Sequence, residues 1–107
     1  MAKQLTFTYQ DVDYTLEFNR ATVRRMERNG FDASAAEASP MSAIYDLFAG
    51  AFQAHHRNVD SKKITDIFNH IGDIGEWAED LLEMYKEPFE TLADGDKEGE
   101  IKRTKNW

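Results

Sequence analysis

Residues 5–18 read Leu-Thr-Phe-Thr-Tyr-Gln-Asp-Val-Asp-Tyr-Thr-Leu-Glu-Phe. Leu5, Phe7 and Tyr9 alternate with Thr6 and Thr8; after a polar stretch, Tyr14, Leu16 and Phe18 alternate with Thr15 and Glu17. A period of two puts one set of side chains on one face of a strand. The aromatic and β-branched content suits a pleated, half-buried surface. The segment therefore predicts a β-hairpin with Gln10-Asp11-Val12-Asp13 as its turn. Two strands alone are marginal in water, so helices must cover the apolar face. That requirement sets the expected class: α+β, mostly α, a hairpin followed by about four helices and a flexible C-terminal tail.

The helices follow in order. Over 19–30, Asn19 is a natural N-cap and Gly30 a left-handed C′ residue, with Phe31 at C″ above Met26 at C3. Val23 and Met26 mark the inward side; Arg20, Arg24, Arg25 and Arg28 mark the outward one. Asp32 to Ser39 is small and polar and reads as a linker with weak helical character. Ser39-Pro40 opens a second helix over 40–57, Pro at N1 losing no hydrogen bond. Its Met41, Ile44, Tyr45, Phe48, Ala51, Phe52 and His55 recur at helical spacing, and Leu47 widens the stripe. A third helix is expected over 61–71 behind Asp60 or Ser61, and a fourth over 74–90 behind the capping-box spacing Asp73…Glu76. On the fourth, Ile74, Trp77, Ala78, Leu81, Leu82, Tyr85 and Phe89 form the apolar side, and Pro88 should end or kink it near Glu87. Residues 1–92 form a single domain in this reading. Residues 93–107, with two glycines and mixed charge, form the tail.

Length and charge narrow the function classes. A chain of 107 residues supports one modest core. It has no cysteine, which removes disulfides, thiolate nucleophiles and Cys-based zinc sites. No apolar run nears the roughly 20 residues of a membrane span, and Met-Ala-Lys-Gln is not the start of a signal peptide. The net charge is −7, and residues 60–107 hold most of it, 13 acids against 7 Lys or Arg. Such a half repels nucleic acid.

No constellation points to catalysis, a cofactor or a metal. Adjacent His55 and His56 diverge by about 100° on a helix, so they do not share an ion unaided. Asp94-Gly-Asp-Lys-Glu-Gly-Glu lacks the EF-hand ligand order and reads as a solvated tail. The four arginines of the first helix are a solvated face or partners for acidic side chains. What remains is apolar surface: 7 Phe, 4 Tyr and 2 Trp, more than one hairpin can cover. Part of it is a helical core. The sharper reading makes Phe48, Phe52, Trp77, Leu81, Tyr85, Phe89 and Trp107 a partner-binding surface.

The hairpin and first helix, Leu-Thr-Phe-Thr-Tyr…Tyr-Thr-Leu-Glu-Phe-Asn-Arg…Val-Arg-Arg-Met-Glu-Arg-Asn-Gly-Phe-Asp, resemble the start of the small tail assembly chaperones of long-tailed bacteriophages. Residues 5–32 carry most of the likeness; Trp77 and Leu-Leu-Glu-Met-Tyr carry it more loosely. The resemblance implies a binding protein of the host cytoplasm, absent from the finished virion. It implies the tape measure protein as client, kept soluble until tail tube subunits polymerise around it, together with contact to tail tube protein and self-association. The family commonly makes a longer form by programmed frameshifting. Thr104-Lys105-Asn106 is compatible with codons spelling a slippery A-AAA-AAC run, which the gene's nucleotide sequence would check. Two other readings stand beside it: an acidic anti-restriction or DNA-mimic protein using the carboxylates of 73–100, and a structural tail or head-completion subunit.

Overall fold

The computed structural model describes residues 3–90 and 99–107. Strands β1 (Gln4–Tyr9) and β2 (Val12–Glu17) pair antiparallel, with Leu5 opposite Leu16, Phe7 opposite Tyr14 and Tyr9 opposite Val12. That register stacks the alternating apolar residues on one face. The other face carries cross-strand polar pairs: Thr8 Oγ1 donates to Asp13 Oδ1 (2.6 Å), and Gln4 Nε2 to Glu17 Oε1 (2.9 Å). The expected four-residue turn is shorter: only Gln10 and Asp11 lie between the strands, and Val12 and Asp13 belong to β2. Both turn residues are left-handed, φ 50° and 65°, as a two-residue turn matching the strand twist demands. Neither is the Asn or Gly that tolerates this region best. Asp11→Gly is therefore expected to raise stability by about 1 kcal/mol, read from the urea midpoint; no gain would mean that Asp11 draws offsetting support from its surroundings.

The first helix begins and ends on its local signals. Asn19 Oδ1 accepts from the Thr22 N–H (2.8 Å) and hydroxyl (2.9 Å), starting α1 (Arg20–Arg28). At the other end Gly30 takes φ 98°, its N–H donates to Glu27 O and the Phe31 N–H donates to Met26 O, both at 3.0 Å. This is the paired Schellman closure. Phe31 then lies edge-on to Tyr85, 5.4 Å between ring centres, tying the helix end to the last helix.

Two element boundaries differ from expectation, the ends of the second and third helices. The linker contains a 3₁₀ turn, Ala33–Glu37, capped by Asp32, whose Oδ1 accepts from the Ser34 N–H and hydroxyl and whose carboxyl is held below the ordinary value by those bonds. Helix α2 (Pro40–Ala51) does not run to 57; it tightens into a 3₁₀ turn, Phe52–Ala54, that lies against β2 and brings His56 to the strand. Ser39 makes no side-chain cap bond, so the α2 start rests on Pro40 at N1. Helix α3 (Ser61–Phe68) opens on Asp60, which accepts from the Lys63 N–H (2.9 Å), and stops before residue 71. Helix α4 (Ile74–Glu90) keeps its expected span and passes through Pro88. The Pro88 carbonyl is satisfied from α1, where Arg20 Nε donates to it at 3.1 Å.

All elements meet in one core. β2 supplies Tyr14 and Leu16; α1 supplies Val23 and Met26; α2 and its 3₁₀ extension supply Leu47, Phe48, Ala51 and Phe52. Ile64 and Ile67 of α3 and Leu81, Met84 and Tyr85 of α4 close it. Met41, expected inward, is exposed, and Met84, absent from the expected apolar side of α4, is buried. Gly50 of α2 lies so close to α1 that an added Cβ would sit 2.3 Å from Met26 Sδ. Among the described residues, no helix is long and apolar enough to cross a membrane.

Candidate partner-binding surface

The seven residues expected at a partner surface separate into three environments. Phe48, Phe52 and Leu81 are wholly buried and Tyr85 nearly so. Phe48 is the hub of an aromatic cluster, with ring centres of Phe52, Phe68, Trp77 and Phe7 at 5.1, 5.7, 5.8 and 6.2 Å. These rings sit edge-on, tilted or stacked, geometries in which aromatic pairs attract. Trp77 is half-buried at the margin of the cluster, edge-on to Phe7. Only Phe89, 63% exposed, and Trp107, 96% exposed, present most of their surface to solvent. Phe89 stands 5.8 Å from the Tyr85 ring, at the core's edge. Trp107 is not brought to the others; Lys105 Nζ sits 5.0 Å over its ring.

Phe89 belongs to a surface feature that the sequence pattern did not reveal. With Pro88 it forms one wall of a groove of about 330 Å³ whose other wall is α1, through Arg20, Val23, Arg24 and Glu27. The floor is apolar and the rim is charged. Burial raises the pKa of the neighbouring Tyr85 hydroxyl, with the carboxylates of Glu27 and Asp32 adding to the effect. The signal for the groove was present but divided: Val23 read as one of two inward residues of α1, and Phe89 as the last position of the α4 stripe. Nothing in either helix states that their ends are adjacent. The Arg20–Pro88 bond joins the two helices at this point.

The remaining candidate chemistry resolves into local pairings. His55 Nε2 lies 2.7 Å from Glu17 Oε1. Partial burial raises the Glu17 pKa, but hydrogen bonds from Gln4 and His55 and the His55 charge outweigh it and leave the carboxyl below its ordinary value. His56 Nε2 accepts from the Thr15 N–H at 2.9 Å, which fixes the ring proton on Nδ1 when the imidazole is neutral. His70 Nδ1 lies 2.7 Å from Asp66 O, and the Tyr9 hydroxyl donates to Asp66 Oδ2 at 2.8 Å. That bond to the carboxylate raises the Tyr9 pKa. Among the described residues, no three His, Asp or Glu side chains converge as metal ligands. The arginine face of α1 borders another depression, of about 580 Å³, lined by Ala21, Arg24, Arg25, Arg28 and Asn29. The outer face of α4 exposes Glu76, Glu79, Asp80 and Glu83. The Asp94-to-Glu98 stretch lies outside the described residues, and residues 99–107 are exposed, without helix or strand.

No curated protein and no solved structure matches this chain. The family described as Domain of unknown function (DUF5055) matches it over residues 1–107. The match spans the whole sequence, and the chain belongs to that family.

Proposed function

We propose that this protein is a tail assembly chaperone that binds the tape measure protein of a long-tailed phage and keeps it soluble until the tail tube forms around it. The resemblance of residues 5–32 to that family motivates the reading. The observation that carries it here is the α1–α4 groove, where Phe89, 63% exposed, stands open between two helices beside the buried Val23 and Pro88. An amphipathic helix needs such a slot to bury one large side chain per turn or two. The exposed carboxylates of α4 keep the complex soluble through net charge.

The binding residues within this reading are narrower than the sequence stripe. Phe48, Phe52, Leu81 and Tyr85 hold the core together, with the Tyr85 ring beside Phe89; Phe89 is the residue that faces a client. Co-expression with the tape measure protein of the same phage tests the function. Soluble recovery of the tape measure protein is expected to rise, with co-purification that survives high salt and is lost in Phe89→Asp. Equal solubility with and without this chain, and no co-purification, would sink the reading. The exposed acidic face of α4 favours one other reading, a mimic of nucleic-acid charge that binds a basic enzyme. Such a complex weakens steeply as salt rises and is insensitive to Phe89.

A further inference from the structure

We propose that the outer edge of β1 is a homodimer interface, in which β1 of two copies pair antiparallel about a two-fold axis and complete a four-stranded sheet in the order β2-β1-β1-β2. The hairpin's geometry determines which backbone groups are available. A two-residue turn makes Tyr9 and Val12 a hydrogen-bonded pair, and the ladder alternates from there. Phe7 with Tyr14 and Leu5 with Leu16 therefore exchange bonds. Gln4, Thr6 and Thr8, like Asp13, Thr15 and Glu17 across from them, direct N–H and C=O outward.

The two edges of this sheet are treated differently. On β2 the outward Thr15 N–H donates to His56 Nε2, and the 3₁₀ turn Phe52–Ala54 packs alongside, so that edge is plugged. On β1 the Thr6 and Thr8 N–H groups have no backbone partner among the described residues, and both residues are exposed. Edge strands are commonly blunted by lysine, proline or a bulge. Gln4–Tyr9 contains no charged residue and no proline, and its register with β2 is unbroken. Lys3, just before it, is drawn away onto α4: its N–H donates to Glu87 Oε1 at 2.8 Å and its ammonium lies 3.5 Å from Glu83.

Burial shows the same asymmetry. Tyr14 is 5% exposed and Leu16 0%, yet their direct partners on the same face, Phe7 and Leu5, are only half-buried. The apolar face is thus covered more fully on the β2 side than on the β1 side, where Trp77 lies edge-on to the half-buried Phe7. A second copy is the occupant this edge fits best, because the strand is complementary to itself. Centred on Thr6, an antiparallel pair sets Thr6 against Thr6 and Gln4 against Thr8, with Leu5 against Phe7 on the apolar face. No like charges meet, and about six backbone hydrogen bonds form. The two-fold axis runs perpendicular to the sheet, so both helical layers lie on one side and Leu5 and Phe7 of the two copies cover one another. The pairing is independent of client capture: a chain that binds no tape measure protein and still dimerises through β1 leaves it standing.

Sedimentation equilibrium on the full chain, from low to high micromolar concentration, tests the interface. Wild-type protein is expected to reach the dimer mass. Thr6→Pro removes an outward N–H that no bond within the hairpin uses, and proline is tolerated on an edge strand; dimerisation is expected to weaken by about tenfold or more. Thr6→Lys keeps the backbone and sets two like charges face to face across the axis. It serves if the proline variant fails to fold, and its monomer should regain dimerisation as salt rises. A wild-type chain that stays monomeric throughout overturns the proposal, even if β1 then accepts a foreign strand. Wild-type dimers matched by folded Thr6→Pro or Thr6→Lys dimers of equal affinity overturn it too.

Discussion

Phe48→Ala is expected to lower stability by about 3–5 kcal/mol, the range for removing a fully buried aromatic ring. Phe48 has no exposed surface and contacts rings from β1, α3, α4 and the 3₁₀ turn after its own helix, so the cavity it leaves is walled by four elements that cannot all close on it. For a domain whose total stability is typically about 5–15 kcal/mol, such a loss leaves a marginal fold. Urea denaturation of wild type and variant gives the difference directly, provided the slope is unchanged. Phe89→Ala is the matched control. The same residue type is removed from the same aromatic system, but from a position 63% exposed, and the expected change is within about 0.5 kcal/mol. Equal losses at the two positions would contradict the division between supporting core and client-facing groove.

That division could not be read from the sequence, for a physical reason. A helical stripe says which residues share a face; it does not say whether that face meets the molecule's own core or a partner. Phe48, Phe52, Leu81 and Tyr85 satisfy both descriptions equally well. The inward face of α4 is also rotated slightly from its apolar stripe. Its buried residues are Leu81, Met84, Tyr85 and Pro88, which turns Phe89 to the rim. By contrast, the hairpin register and the two ends of α1 were legible because their determinants are local. Alternation fixes the strand faces, Asn19 offers an oxygen to its own helix, and Gly30 accepts a φ that other residues resist. The turn is shorter than the sequence suggests because Val12 and Asp13, which look like loop chemistry, pair as the start of β2. Val12 is in fact on the apolar face beside the tip, where little of the core reaches it. The histidines carried no metal signal in their spacing, and no pattern in the chain announced that His56 would plug a strand edge.

Gly50→Leu is expected to destabilise the fold by about 1–3 kcal/mol and to weaken client capture without altering a groove residue. On helix propensity alone, a side chain at Gly50 should help by about 0.5–1 kcal/mol. The approach of α1 reverses the sign. A Cβ at this position falls 2.3 Å from Met26 Sδ, 2.8 Å from Cε and 3.0 Å from Cγ, and Met26 is itself 7% exposed, with little room to swing outward. Alanine can be accommodated by a methionine rotamer change, since thioethers adapt. Leucine adds three carbons more and must push α1 from α2. Met26 is also C3 of the α1 closure, its carbonyl bonded to the Phe31 N–H. Displacement there moves Val23 and Arg24 relative to Phe89 and opens the groove. A double variant separates steric cause from propensity: Met26→Ala vacates the space, so Gly50→Leu should cost much less in that background, a coupling of about 1–3 kcal/mol in a double-mutant cycle. Client capture should recover in step with it. Additive losses would mean that glycine at position 50 serves something other than the close approach of α1 and α2.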